Sequence, residues 1–343
     1  MAIPYGFASW LRAKCYQLGW LPRRRLPVFV VSIGNLTVGG TGKTPVVILL
    51  AHWLLAAGKR VAILSRGYRR TGGADPLLVS NGRQILVTAE QAGDEPFLIA
   101  ARCPEAIVAV GADRYDVGRW VLDQYPVDCV LLDDGFQHLA LHRDLNLLLV
   151  DATDADGLQA VVPAGRLREP LAAAARASMI LVTRADNTDD ATHVLRYVER
   201  AIGHEVPSAC LVFPAQELVA VGTGELRPVE WCRGKTALLC SGIGHAASFR
   251  RLADSLGLCV LKEIRFRDHH RFRREDVEAV RTRAAELTVE VVLTTEKDAG
   301  KLSPLLDPTD DRWWAVRLDS IVTAGEQLLR SLVQSGPKRE GRS

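Results

Sequence analysis

The sequence predicts an α/β fold in which a parallel sheet carries helices on both faces, followed by a smaller C-terminal α/β unit and preceded by an amphipathic helix. Three observations predict it. Apolar, β-branched runs alternate with helical patterns through the first half of the chain. The first such run leads directly into a glycine-rich loop that opens a helix, Thr37-Val-Gly-Gly-Thr-Gly-Lys-Thr44. Beyond about Pro214 the alternation starts again. With 343 residues, 48% of them apolar, the chain can bury the cores of two domains.

Residues 1–25 come first. Ile3, Phe7, Trp10, Leu11, Cys15 and Leu18 recur at helical spacing, Arg12 and Lys14 lie off that stripe, and Trp20 with Arg23-Arg24-Arg25 closes it. Such a helix either lies in a membrane interface or docks its stripe on the protein's own core. A cleaved signal is not expected, because the basic cluster follows the apolar part, and no apolar run reaches the roughly 20 residues that span a bilayer.

In the core domain, 26–214, strands are expected at 28–33, 60–64, 106–110, 129–132, 145–150 and 179–182, and helices at 45–57, 91–102 and 114–124. These strands are continuously apolar, the pattern of a sheet covered on both faces. A polar glycine-rich loop falls at 71–75. The second unit, 215–335, is expected to hold strands at 236–240, 258–264 and 290–294 and helices at 247–256 and 275–285. The polar residues 336–343 read as a flexible tail.

Composition excludes some functions. Lys plus Arg exceed Asp plus Glu by only 43 to 40, the basic residues are scattered, and no nucleic-acid motif or aromatic stacking array is visible, so no nucleic-acid partner is expected. Seven cysteines, an odd number without a CxxC pair, fit a reducing, cytoplasmic setting.

The loop Thr37, Val38, Gly39, Gly40, Thr41, Gly42, Lys43, Thr44 carries the chemistry of a P-loop NTPase-type sheet. Its glycines admit backbone N–H groups to phosphate oxygens, Lys43 reaches the β and γ phosphates of ATP, and Thr44 binds Mg2+. Thr37 stands where such loops usually have glycine. Downstream, the apolar run 127–132 ends in Asp133 and Asp134, where these enzymes hold magnesium and its waters. Val182-Thr-Arg-Ala-Asp186 is similar to the guanine-reading [NT]KxD element of GTPases, but Arg184 replaces the lysine.

Seven segments together resemble one family. Gly34-Asn-Leu-Thr-Val-Gly-Gly-Thr-Gly-Lys-Thr-Pro45, Ser65-Arg-Gly-Tyr68, Gly93-Asp-Glu-Pro96, Asp133-Asp-Gly-Phe-Gln137, Pro163-Ala-Gly-Arg-Leu-Arg-Glu-Pro170, Asp268-His-His270 and Thr294-Thr-Glu-Lys-Asp298 are similar, in order, to the tetraacyldisaccharide 4'-kinases of lipid A biosynthesis. The resemblance implies transfer of the ATP γ-phosphoryl group to the 4'-hydroxyl of a tetraacylated glucosamine disaccharide 1-phosphate, giving lipid IVA. It also implies a peripheral location on the cytoplasmic face of the inner membrane, a lipid disaccharide substrate and no obligate protein partner.

The same resemblance implies site roles. Asp94 and His269 form a pair that activates the acceptor, with Asp94 nearer the hydroxyl, and Lys43 is the catalytic cation. Glu169 touches magnesium or its waters, and Arg66, Asn35 and Gln137 meet the substrate. From the residues alone, Asp94 also suits a helix cap, Glu169 a salt bridge with Arg166 or Arg168, and Asp298 a cap of the following turn. Arg66 suits a phosphate contact or a lipid headgroup. This chain departs from the family at Gly242-Ile-Gly-His-Ala246, at Arg267 and at Arg69-Arg70. The departures bear on acyl-chain preference and nucleotide-base contacts.

Two other classes predict different observations. A P-loop GTPase switch, acting as a metallocofactor chaperone or membrane-targeting factor, would prefer GTP and have no lipid acceptor. A nucleotide-gated membrane module would bind liposomes and form no phosphorylated sugar.

Overall fold

The computed structural model describes residues 2–68, 70–71, 75–307 and 309–335. The expected flexible tail 336–343, Arg69, the centre of the glycine-rich loop at 72–74 and the side chain of Ile3 lie outside the described residues.

Helix α1 (Ala2–Gln17) precedes strand β1 (Phe29–Asn35) and helix α2 (Lys43–Ala56). There follow β2 (Val61–Ser65), β3 (Leu77–Asn81), α3 (Ala89–Ala92), α4 (Asp94–Arg102), β4 (Ile107–Val110), α5 (Arg114–Gln124), β5 (Cys129–Asp133), β6 (Leu145–Asp151), β7 (Met179–Thr183), α6 (Thr188–Ile202) and β8 (Ser208–Val212). The second domain supplies β9 (Ala215–Ala220), β10 (Leu226–Pro228), β11 (Thr236–Ser241), α7 (Ala246–Ser255), β12 (Cys259–Arg265), α8 (Arg274–Glu286), β13 (Val291–Thr295), α9 (Glu296–Leu302) and β14 (Trp313–Leu318). Strand β15 (Ile321–Ala324) and helix α10 (Glu326–Ser335) end the described chain.

A nine-stranded sheet runs in the order β15-β8-β7-β6-β1-β5-β2-β4-β3, and a six-stranded sheet in the order β10-β9-β14-β13-β11-β12. In the first, every pairing is parallel except the two edges, β3 on β4 and β15 on β8. Alternate residues of each strand face opposite sides. Val31 and Ile33 pack with Val47, Leu50 and Leu54 of α2, while Val30 packs with Val117 and Val121 of α5. Each fully buried side chain of this kind contributes roughly 1.5–3 kcal/mol, which is why the strands read as unbroken apolar runs.

Four expectations change. The helix expected at 91–102 is broken at Gly93, whose φ of 92° ends α3 and starts α4. Thr88 caps α3 through a capping box with Gln91. The break makes Asp94 the first residue of a helix. Next, the second unit does not extend to 335: β15 pairs with β8, and Leu329 and Val333 of α10 join the core around α2. The chain therefore crosses between the domains twice. The described part of the α1 stripe is not docked on the core, since Phe7, Trp10, Leu11 and Leu18 are exposed, with Trp20 72% exposed, and among the described residues of that helix only Gly6 and Ala13 are buried. Finally, β3, β8, β9, β10, β14, β15, α6, α9 and α10 were not anticipated. Several are edge strands or short, alternately buried segments, such as β8 with its half-buried alternation.

Candidate active site

The phosphate loop lies between β1 and α2, at the carboxyl edge of the sheet where parallel strands place ligand sites. Gly39 and Gly42 have φ of 119° and 82°. A Cβ on Gly42 would stand 2.3 Å from the Phe213 ring, and one on Gly39 would stand 2.6 Å from Arg166 Nη2. Only glycine fits either place. Helix α2 starts at Lys43, so its free N–H groups and the positive end of its dipole face the loop.

The loop's carbonyls are tied from outside. Arg166 Nη2 donates to Val38 O at 2.9 Å, Arg184 Nη2 to Gly40 O at 2.9 Å and Thr183 Oγ1 to Thr41 O at 3.0 Å. Arg184 also pairs with Asp151. Thr183 and Arg184, which resemble part of a guanine reader in sequence, thus brace the phosphate loop. His245, inside the departure at Gly242 to Ala246, comes within 3.6 Å of the Cβ position of Gly39 and places the second domain against the loop.

Lys43 Nζ donates to Asn35 Oδ1 at 3.1 Å and lies 3.7 Å from Asp134. Asn35 is fully buried and its Nδ2 donates to Thr37 O at 2.9 Å, while Gln137 Nε2 donates to Asn35 O at 2.9 Å. Asn35 and Gln137, expected on the substrate, are joined to each other and steady Lys43 through Asn35 Oδ1.

Asp133 is buried at the end of β5, where Ser65 Oγ donates to its Oδ2 at 2.9 Å. Burial, with Glu95 and Asp134 nearby, pushes its carboxyl up to about 7 despite Lys43. Asp134 behaves oppositely: burial opposes its charge, but Lys43, Arg168 and Arg114 hold it below the usual carboxylate range. Its Oδ2 accepts from Arg168 Nη1 at 2.8 Å. Asp133 Oδ1 and Asp134 Oδ1 are buried and accept no hydrogen bond among the described residues. Two bare carboxylate oxygens on the side of the loop where Lys43 lies 3.7 Å from Asp134 fit magnesium, which takes one or two carboxylates and completes its shell with waters and phosphate.

Glu169 makes a different salt bridge from the one expected. Its two oxygens accept from Arg176 Nη2 at 2.9 and 2.8 Å, and Arg176 in turn lies over the Phe136 ring. It pairs with neither Arg166 nor Arg168, and contact with magnesium would require this buried pair to part. Arg66 follows β2, is exposed and, among the described residues, has no ion pair.

Asp94 and His269, 175 residues apart, meet across the domains with His269 Nδ1 3.0 Å from Asp94 Oδ2. Lys301 Nζ donates to the same oxygen at 3.1 Å. Although burial opposes ionisation, His269 and Lys301 hold the Asp94 carboxyl below its usual value. These partners replace the helix-cap role. Asp298 is likewise not the cap of α9, which is Thr295; buried Asp298 accepts from Gly242 N at 2.9 Å. His270 turns away to Asp276 at 3.0 Å. Lys301, absent from the sequence expectations, is the residue missed, and Lys297 was legible only as a member of the Thr294 to Asp298 segment. Their i, i+4 spacing toward the chain end was the available signal.

The pair opens on a cleft of about 780 Å³ walled by Tyr68 and Arg70 from the first domain and by Arg267 and Arg271 from the second. Three of the four non-glycine residues with positive φ among those described, Asp134, Arg184 and His269, stand in this region. Backbone strain of that kind concentrates at functional sites.

A phosphate loop on a parallel sheet, bare carboxylates beside its lysine and an ionised carboxylate facing a cleft define a nucleotide-dependent phosphotransferase of the P-loop class. The model of the LpxK family, tetraacyldisaccharide-1-P 4'-kinase, matches residues 1–335. The chain belongs to that family and is an ATP-dependent lipid A 4'-kinase.

Its relatives include the tetraacyldisaccharide 4'-kinase of Pelobacter propionicus, 38% identical over 333 residues that cover 96% of this chain and 90% of that one. That of Geobacter sulfurreducens is 40% identical over 307 residues, covering 88% and 84%. Among solved structures, LpxK from Aquifex aeolicus in complex with ATP superposes with a TM-score of 0.78 at 32% identity, covering 97% of this chain and 96% of that one. The nucleotide-switch alternative is not favoured.

Proposed function

We infer that the protein transfers the γ-phosphoryl group of magnesium-ATP to the 4'-hydroxyl of tetraacyldisaccharide 1-phosphate, forming lipid IVA, and that Asp94 is the acceptor base. The observation that carries the assignment is the Asp94–His269 contact of 3.0 Å, built from both domains at a cleft. A sugar hydroxyl has a pKa far above neutrality, so its proton must leave as the new phosphorus–oxygen bond forms. Asp94, held ionised, takes that proton while the bond from the γ-phosphorus to the β,γ-bridging oxygen breaks and ADP departs. His269 donates through Nδ1 and fixes the carboxylate.

Lys43, steadied by Asn35, neutralises charge on the transferred group. Thr44, Asp133 and Asp134 would hold magnesium, which supplies charge neutralisation and orientation of the β and γ phosphates. Arg66, free of ion pairs among the described residues at the end of β2, suits an anionic group of the substrate.

A peripheral position at the cytoplasmic face of the inner membrane follows from a lipid acceptor, an ATP donor and the exposed apolar side chains of α1. No helix among the described residues is long and apolar enough to cross a membrane.

The test is transfer of labelled γ-phosphate from magnesium-ATP to tetraacyldisaccharide 1-phosphate in detergent micelles. Labelled lipid is expected from the parent protein and none from Lys43→Ala. For Asp94→Ala, turnover falls by roughly 10²–10⁴-fold with ATP affinity retained. Full turnover by Asp94→Ala would remove the base assignment.

A further inference from the structure

We propose that α9 is the positioning element of the acceptor site: Lys301 grips Asp94 by Oδ2 and Lys297 grips His269 by Nε2, leaving Asp94 Oδ1 as the oxygen that receives the hydroxyl proton. This rests on the reading of Asp94 as the base and adds the device that orients it.

The geometry is specific. Both donors to Asp94, His269 Nδ1 and Lys301 Nζ, converge on Oδ2, and among the described residues none reaches Oδ1. Lys301 Nζ donates to Asp94 Oδ2 at 3.1 Å and to His270 O at 3.1 Å, and forms an ion pair with Asp298 Oδ1 at 2.9 Å. It is nearly buried, with Phe272 beneath it, and its contacts are to the carboxylates and the backbone behind the pair, so it acts through Asp94. One turn earlier on the same face, Lys297 Nζ stands 3.4 Å from His269 Nε2 and 3.3 Å from Glu95 Oε1.

With Nδ1 on Asp94, and Nε2 facing the Lys297 ammonium at 3.4 Å and Asp268 Oδ2 at 3.9 Å, the imidazole is placed to orient the carboxylate. α9 is anchored for this task by its Thr295 cap and by Asp298 on the Gly242 N–H. The carboxylate comes from one domain and all three of its positioning partners from the other. The base is therefore complete only when the domains meet.

Other charges face the pair. The first domain contributes Glu95 on α4, Glu90 on α3, and Tyr68 and Arg70 beyond β2. The second contributes Arg267, Asp268 and Arg271 beside His269. Asp268 Oδ2 stands 3.9 Å from His269 Nε2 and is half-exposed, whereas Lys301 and Asp298 are buried.

The test compares pH profiles of kcat/KM for the parent, Lys301→Met, Lys301→Arg and Asp94→Asn. Removing the Lys301 charge moves the acid limb up by about one pH unit or more and lowers kcat, and Lys301→Arg restores much of the parent limb. An unmoved limb in Lys301→Met, with only a loss of thermal stability, makes Lys301 a structural brace and overturns the proposal. If Asp94→Asn keeps the parent's limb and turnover, the base reading itself fails.

Nitrogen-15 NMR of the unaltered protein, with His269 assigned by difference from His269→Gln, gives a second readout. The neutral tautomer protonated at Nδ1 is expected at pH 7, and its loss in Lys297→Met supports the grip. An Nε2-protonated ring or an imidazolium in the parent overturns the Lys297 half.

Discussion

Asp94 and Asp133 show how burial sets opposite proton affinities for the same side chain. Asp133 has a serine hydroxyl and two neighbouring acids, and burial drives its carboxyl up. Asp94 is buried too, but an imidazole and an ammonium overcome the penalty. Asp94 therefore binds its proton more weakly in the folded state than in the unfolded chain. It contributes stability that is fully present above the unfolded value near 4 and lost as pH falls through the lower folded value. Asp94→Asn is expected to flatten the acid dependence of Tm below about pH 4, measured by thermal unfolding across pH. At Gly42, Ala adds about 1–2 kcal/mol of left-handed strain and drives Cβ into the Phe213 ring. Calorimetry on Gly42→Ala is expected to show lost ATP binding, and parent-like affinity would show that the loop yields.

At the scale of elements, α1 and α4 contrast. Helix α4 buries Pro96, Ile99 and Ala100 and is paired at both ends, whereas α1 leaves aromatic and aliphatic side chains in solvent with Arg12 and Lys14 beside them. Exposed tryptophan near basic residues matches an interfacial helix, whose binding grows with apolar area and with anionic lipid. Deleting residues 2–25 is expected to weaken sedimentation with anionic liposomes and to leave ATP binding unchanged. Unchanged sedimentation would place the membrane contact elsewhere.

Across the whole molecule the two domains are locked at both ends of α4. At its start Asp94 and Glu95 meet Lys301 and Lys297. At its end Arg102 donates to both oxygens of Glu296, at 3.2 and 2.9 Å, and pairs with Asp319. Between them Gly300 of α9 lies so close to the Phe97 ring that a Cβ would stand 2.9 Å away. Two chain crossings, before β9 and after β14, further restrict relative motion. Arg102→Ala leaves Glu296 to Arg317 alone and is expected to cost on the order of 2 kcal/mol by chemical denaturation. It should also lower kcat more than ATP affinity, because α4 carries Asp94 and not the phosphate loop. Equal loss of both would show that the lock serves the entire sheet.

The sequence by itself determined the elements whose causes are local. The phosphate loop is legible because glycine, lysine and threonine at fixed spacing have few other uses, and β1, β2 and β4 to β7 because doubly covered strands must be continuously apolar. Asp94 and His269 were legible as motif members, but their contact, the two lysines that grip them and the internal roles of Asn35, Gln137 and Glu169 were not. Nor was the return of β15 to the first sheet, since an edge strand with alternating burial has no apolar run to announce it. Those features were decided by tertiary structure, because contacts such as that between Asp94 and Lys301, 207 residues apart, depend on how two packed domains meet, and local pattern carries no record of that meeting.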